Sequence, residues 1–302
     1  MQIIKPVTVT NAILTSSTVP ETDYAEWNAA STYAVGDKVI VIGVTHKIFE
    51  SLTAGNINQN PVGGDGTQWL TLGATNRWRA FDQKIADQVV QQDSINYVFG
   101  NYNSNVTSLA LFNLLGISAN VTVTDTTAGE VYNTTISLID NRNIVDWFTY
   151  FFEEQVQKET AQFIDIPPYR NAAISVTVTA NTGEDAKLGQ IVFGYLTDIG
   201  ATTYGTSISI EDFSRKETDA FGNFIVVERA FSQLADFDVQ FETRNARRIQ
   251  RTLAELRAVP VVYIGSSDTA YGTTIYGFYR RFDLTLETPS LSFGAIEVEG
   301  LT

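Results

Sequence analysis

Cysteine is absent from this 302-residue chain, and histidine occurs once, as His46. Without thiols there is no disulfide framework, thiolate metal site or cysteine nucleophile. A zinc site with several histidine ligands is excluded too, and a Ser-His-Asp triad would have to use His46. Basic residues are scarce: 20 Lys and Arg stand against 34 Asp and Glu, a net charge of −14. Such a surface repels a phosphate backbone, so no nucleic acid is expected as a partner. No apolar run approaches the roughly eighteen residues of a membrane helix, and "MQIIKPVTVTN" lacks the apolar stretch of a signal peptide. The expectation is a soluble protein with no membrane span, folded in a reducing cytoplasm.

What is abundant is strand-forming: Thr, Val, Ile, Phe and Tyr, punctuated by Gly and Asn. A chain this long buries roughly 75% of its unfolded surface, so it needs no metal or disulfide staple. The expected fold is mainly β in four parts. Residues 1–25 read as an extended N-terminal arm with little core of its own. Residues 26–75 read as a compact β unit, in which "KVIVIG" is an apolar strand, "THKIFES" its hairpin partner and Trp69 the closing residue. "TNRWRAFD" follows, with Trp78 and Phe81 as anchors onto the rest. Residues 76–195 alternate with period two in "ANVTVTD" and "ISVTVTA", which suggests an antiparallel, jelly-roll-like sandwich. Residues 196–302 read as an α+β unit. There Ile249, Leu253 and Leu256 recur at helical spacing before the strand "VVYIG".

No catalytic set can be picked out, and neither a metal nor a cofactor is expected. His46 has no convergent partners in sequence and reads as structural. In "EDFSRKETDAFGNF" Asp212, Glu217 and Asp219 lie near Arg215 and Lys216. Their spacing is not that of a calcium loop, and a charge-balanced turn with Gly222-Asn223 opening a hairpin is the simpler reading. Nothing selects two carboxylates for glycoside hydrolysis. The sequons at Asn105, Asn120 and Asn133 matter only in a secretory pathway. Two clusters read as surfaces for partners. In "DWFTYFFEE", Trp147, Phe148, Tyr150, Phe151 and Phe152 are too many large rings for a free surface, so they are core or interface. Arg247, Arg248 and Arg251, beside Arg244 and Arg257, form an arginine-rich helix face. It suits an acidic neighbour or another copy of the chain, or it is a solvated face with Arg251–Glu255 as an i,i+4 pair.

The stretch from Trp27 to Trp69 resembles the small chitin-binding modules attached to bacterial chitinases. Trp27, Tyr33, Gly36, Asp37, Val39, Gly43, Pro61 and Trp69 carry the likeness. Those modules stack sugar rings on adjacent exposed aromatics, whereas the corresponding "ESLTAGN" here has none, so the unit is expected to serve as a scaffold. The arm, this unit, "TNRWRAFD", "DWFTYFFE", "PPYRNA", "YGTSISIEDFSRKETDAFGNF" and "RAVPVVYIGS" together resemble a type of tailed-bacteriophage virion protein. That resemblance implies a non-enzymatic structural subunit of the tail, baseplate or neck, made in the host cytoplasm. It implies a symmetric ring of copies in contact with other virion proteins. The alternative is a glycan-binding adsorption protein that recognises host polysaccharide through Trp27, Tyr33 and Trp69, with Tyr24 nearby.

Overall fold

The computed structural model describes residues 1–142, 144–152, 156–170, 172–218 and 221–302. From the N-terminus, β1 (Gln2–Pro6) and β2 (Leu14–Ser17) precede the strands of a small unit, β3 (Lys38–Val41), β4 (Lys47–Ser51) and β5 (Trp69–Ala74). Next come β6 (Ser94–Phe99), β7 (Ser108–Leu115), β8 (Ser118–Asp125) and β9 (Gly129–Ser137). A short helix, α1 (Trp147–Phe152), leads to β10 (Thr160–Phe163), β11 (Ala173–Thr179) and the long β12 (Asp185–Asp198). The last third holds β13 (Ser207–Asp212), β14 (Arg215–Thr218), β15 (Phe224–Val227) and β16 (Phe231–Glu242). It ends with helix α2 (Ala246–Glu255), β17 (Val261–Ile264), β18 (Thr274–Thr285) and β19 (Leu291–Gly300).

The protein is mainly β, and its sheets are antiparallel and curled. Five strands form one sheet in the order β9-β8-β11-β6-β2, and it packs on one end of an eleven-stranded sheet. The alternation in "ANVTVTD" shows why. Val121 and Val123 turn inward with Ile174 and Val176, while Asn120 and Thr122 face water. Opposite them lie Leu109 and Leu111 of β7 and Ile191 and Phe193 of β12, which close the sandwich. The other end of the large sheet is covered by α2, whose Ile249 and Leu253, with Leu256 just beyond, meet Phe237, Val261 and Tyr263.

The N-terminal segment departs from the arm the sequence suggests. β1 is an interior strand of the large sheet, paired with β12 on one side and β17 on the other. Ile3 and Ile4 are fully buried, Ile3 in the core under α2 and Ile4 in a third cluster on the opposite face with Val192 and Val262. A strand covered on both faces needs adjacent apolar residues rather than alternating ones, and "II" supplies them. Each fully buried Ile contributes about 1.5–3 kcal/mol. β2 likewise pairs with β6. β12 runs continuously through position 195, so the large sheet unites strands from both halves of the chain.

The small unit is a three-stranded sheet, β3-β4-β5, with its own core of Val39, Phe49 and Trp69. Trp78 and Phe81 join it to the sandwich, as "TNRWRAFD" suggests. Trp78 stacks on His46 at 4.1 Å, and Phe81 meets Tyr97 and Phe99 edge-on at 5.5 and 5.9 Å. His46 is bonded at both ring nitrogens, Nδ1 to Glu21 Oε1 at 2.7 Å and Nε2 to Asn11 Oδ1 at 2.6 Å. Glu21 also accepts from Thr75 Oγ1 at 2.8 Å. The single histidine is therefore a structural tie between unit and body.

Candidate interaction surface

The aromatic stretch from Trp147 lies at the tip of an excursion from the sandwich. A two-residue ribbon, Ile139↔Gln157 and Asp140↔Val156, pinches its base. Arg142 fixes the outgoing limb, pairing with Asp140 at 2.9 Å and with Asp268 at 3.4 Å. An isolated helix of six residues does not persist in water. Here Asp146 and Thr149 cap each other reciprocally. Thr149 N donates to Asp146 Oδ1 at 2.8 Å, and Asp146 N donates to Thr149 Oγ1 at 3.1 Å. The Thr149 backbone N–H, and after it the Thr149 hydroxyl at 3.0 Å, hold the Asp146 carboxyl below its ordinary pKa.

The rings themselves are in water. Trp147 is 77% exposed, Phe148 70%, Tyr150 60%, Phe151 67% and Phe152 75%. Of the two roles open to them from sequence, core is excluded. They pack along the helix on one another, Trp147 on Phe151 at 6.2 Å and Phe148 on Phe152 at 5.1 Å. Among the described residues they have no ring contact with the body of the fold.

The arginines of α2 divide into two sets. Arg247 and Arg251 point away from the face that buries Ile249 and Leu253, and both are exposed. Arg251 pairs with Glu255 at 3.1 Å, as its spacing suggests. Arg247 has no hydrogen bond or ion pair among the described residues. Arg248 turns aside instead, donating to the Asp198 carbonyl at 3.2 Å beside an open cleft of about 870 Å³ that Asp198 and Glu242 also line. No aromatic ring of α1 meets an arginine of α2 within the chain, among the described residues.

A further apolar exposure escaped the sequence reading. β14 and β15 form a two-stranded ribbon beyond the end of the large sheet, and every residue in it is exposed. Phe224 is 78% exposed and Val226 61%. Four consecutive apolar residues opposite the charged "RKET" were the available signal, because a half-buried strand would alternate. The Asp212 and Glu217 carboxylates near its base are paired with Lys216 and Arg215, in keeping with a charge-balanced turn. Asp219 lies outside the described residues.

The three rings proposed to read glycan are placed differently. Trp69 is buried, and its Nε1 donates to the Gln59 carbonyl at 2.9 Å. Tyr33 meets it edge-on at 5.2 Å, and half-buried Trp27 packs on the same cluster. Trp69 belongs to the unit's buried core, and Trp27 and Tyr33 pack against it with part of each ring in water. Tyr24, just before the unit, is exposed, with Lys38 above its ring at 5.8 Å.

Among the described residues no group of three or more His, Asp or Glu is placed to hold a metal ion, and no helix is long and apolar enough to cross a membrane. No protein-family model matches the chain, and no match was found among curated proteins.

Proposed function

We propose that the chain is a non-enzymatic structural subunit of a tailed-bacteriophage particle, part of its tail, baseplate or neck. In this role it joins copies of itself and neighbouring virion proteins after synthesis in the host cytoplasm. The observation that carries the reading is α1. Five large rings held in water by a capped, pinched loop constitute an exposed apolar patch, and such patches mark contact surfaces. The bare ribbon β14–β15 adds to this, since an isolated hairpin is at best marginal without further packing. The small unit then acts as a building block, consistent with the inward placement of Trp27, Tyr33 and Trp69. A reading in which these rings bind polysaccharide is favoured less by the burial of Trp69 than the building-block reading is.

The reading is tested by quantitative peptide mass spectrometry on density-purified phage particles from a host expressing the gene. A fixed number of copies per particle, matching a small ring or a stack of rings, is the expected result. Absence from particles while the protein is plentiful in the lysate would reject it.

A further inference from the structure

We infer that α1 of one copy docks on the outward arginine stripe of α2 in the next copy, so that subunits join head to tail. The inference rests on the reading above, that the chain joins copies of itself, and it names the two surfaces that meet.

The first argument is charge. Residues 146–154 carry three acids, Asp146, Glu153 and Glu154, and no base. Residues 244–257 carry five arginines against the single acid Glu255, on a chain whose net charge is −14. Two such acidic molecules repel over most of their surfaces. The α2 stripe is where one copy attracts an acidic segment of another.

The second argument is chemical fit. Guanidinium groups stack on the faces of Trp, Tyr and Phe as well as pairing with carboxylates. Arg247 and Arg251 stand one turn apart on α2, and Trp147 and Phe151 stand one turn apart on α1. Arg251 has a carboxylate partner in Glu255. Among the described residues, however, neither arginine stacks on a ring and neither ring meets a guanidinium. Each helix thus presents at the same spacing the stacking partner the other lacks.

The third argument is size. A large aromatic side chain buries about 150–250 Å². Trp147, Tyr150 and Phe151 share one side of α1 and are 60–77% exposed, so that face offers on the order of 400 Å², about half of the roughly 800 Å² per partner of a standard interface. Because the two surfaces differ, the contact is heterologous, and repetition gives a ring when the rotation closes.

The test uses sedimentation velocity on the full chain and two variants, Trp147→Ser/Phe151→Ser and Arg247→Glu/Arg251→Glu. All four positions are exposed, so both variants should keep the wild-type melting temperature, which is checked first. Wild type is expected to form a discrete multimer as concentration rises. Each variant alone should be monomeric over that range, its self-affinity weakened about a hundredfold. Mixed in equal amounts, the two variants should form a heterodimer and stop there, since each retains one intact half of the contact.

Variants that assemble as well as wild type would overturn the pairing and leave self-joining through another surface standing. A mixture that stays monomeric, or a wild type that stays monomeric throughout, would also overturn it. In those cases the particle analysis decides separately whether the virion reading survives. Cosedimentation of wild type with duplex DNA, lost in the arginine variant, would assign the stripe to nucleic acid and overturn the pairing too.

Discussion

Trp69 holds the small unit through two kinds of contact, a buried ring against Val39 and Phe49 and an indole N–H bonded to Gln59. Trp69→Ala removes both, at a cost of about 3–5 kcal/mol, in a unit with a small core of its own. Hydrogen exchange is expected to show β3, β4 and β5 losing protection while the sandwich keeps its own. A folded unit that has lost only affinity for a polysaccharide would instead favour the glycan-reading alternative. Asp82 is unusual in another way. It lies half-buried at the end of the 76–81 turn, and burial, reinforced by nearby Asp87, raises its carboxyl to about 6 against the bonds and charges that favour ionisation. The folded chain therefore binds more protons than the unfolded chain between the two pKa values, so this group's contribution to stability falls as pH rises through that window. Asp82→Asn should flatten the slope, raising the melting temperature relative to wild type at about pH 7.5 and far less at about pH 4. Equal shifts at both pH values would show that Asp82 is not the source.

At the scale of elements, β1 depends on Gly194. A Cβ there would lie 1.8 Å from the Lys5 carbonyl oxygen, so β1 approaches β12 this closely only because the position lacks a side chain. Gly194→Ala is expected to lower stability by at least about 2 kcal/mol, measured by urea unfolding, through overpacking. An unchanged midpoint would mean that β1 is not lodged beside β12. The ribbon β14–β15 makes the opposite prediction. Ile225→Lys and Val227→Lys replace exposed groups that lie over no core, so each should change stability by less than about 0.5 kcal/mol. A loss of several times that would show that the ribbon packs on the body.

The elements differ in how plainly they could be read from sequence. β8 and β11 were legible because half-burial writes period two into their residues, and α2 because Ile249, Leu253 and Leu256 recur on one face. β1 was not. It is five residues long, its partners lie far along the chain, and burial on both faces erases alternation. The Trp147 cluster was legible as a surface or a core, but its sequence could not choose, because apolar runs look alike in both places. Trp27, Tyr33 and Trp69 were legible as a motif, and their inward packing depended on long-range contacts that spacing does not report.

For the whole molecule, a charge of −14 keeps copies apart except where charge is absent or reversed. The arginine stripe is such a place, and the aromatic tip is an acidic segment that it can attract; both lie on elements outside the sandwich core. In the proposed role the core would supply rigidity and the excursions the contacts of a building block. The most direct measurement of that role is immunogold electron microscopy of purified phage particles with antibody raised against this chain. The account predicts label at one fixed position on the tail, baseplate or neck of each particle. Unlabelled particles, with the protein confined to the lysate, would contradict it.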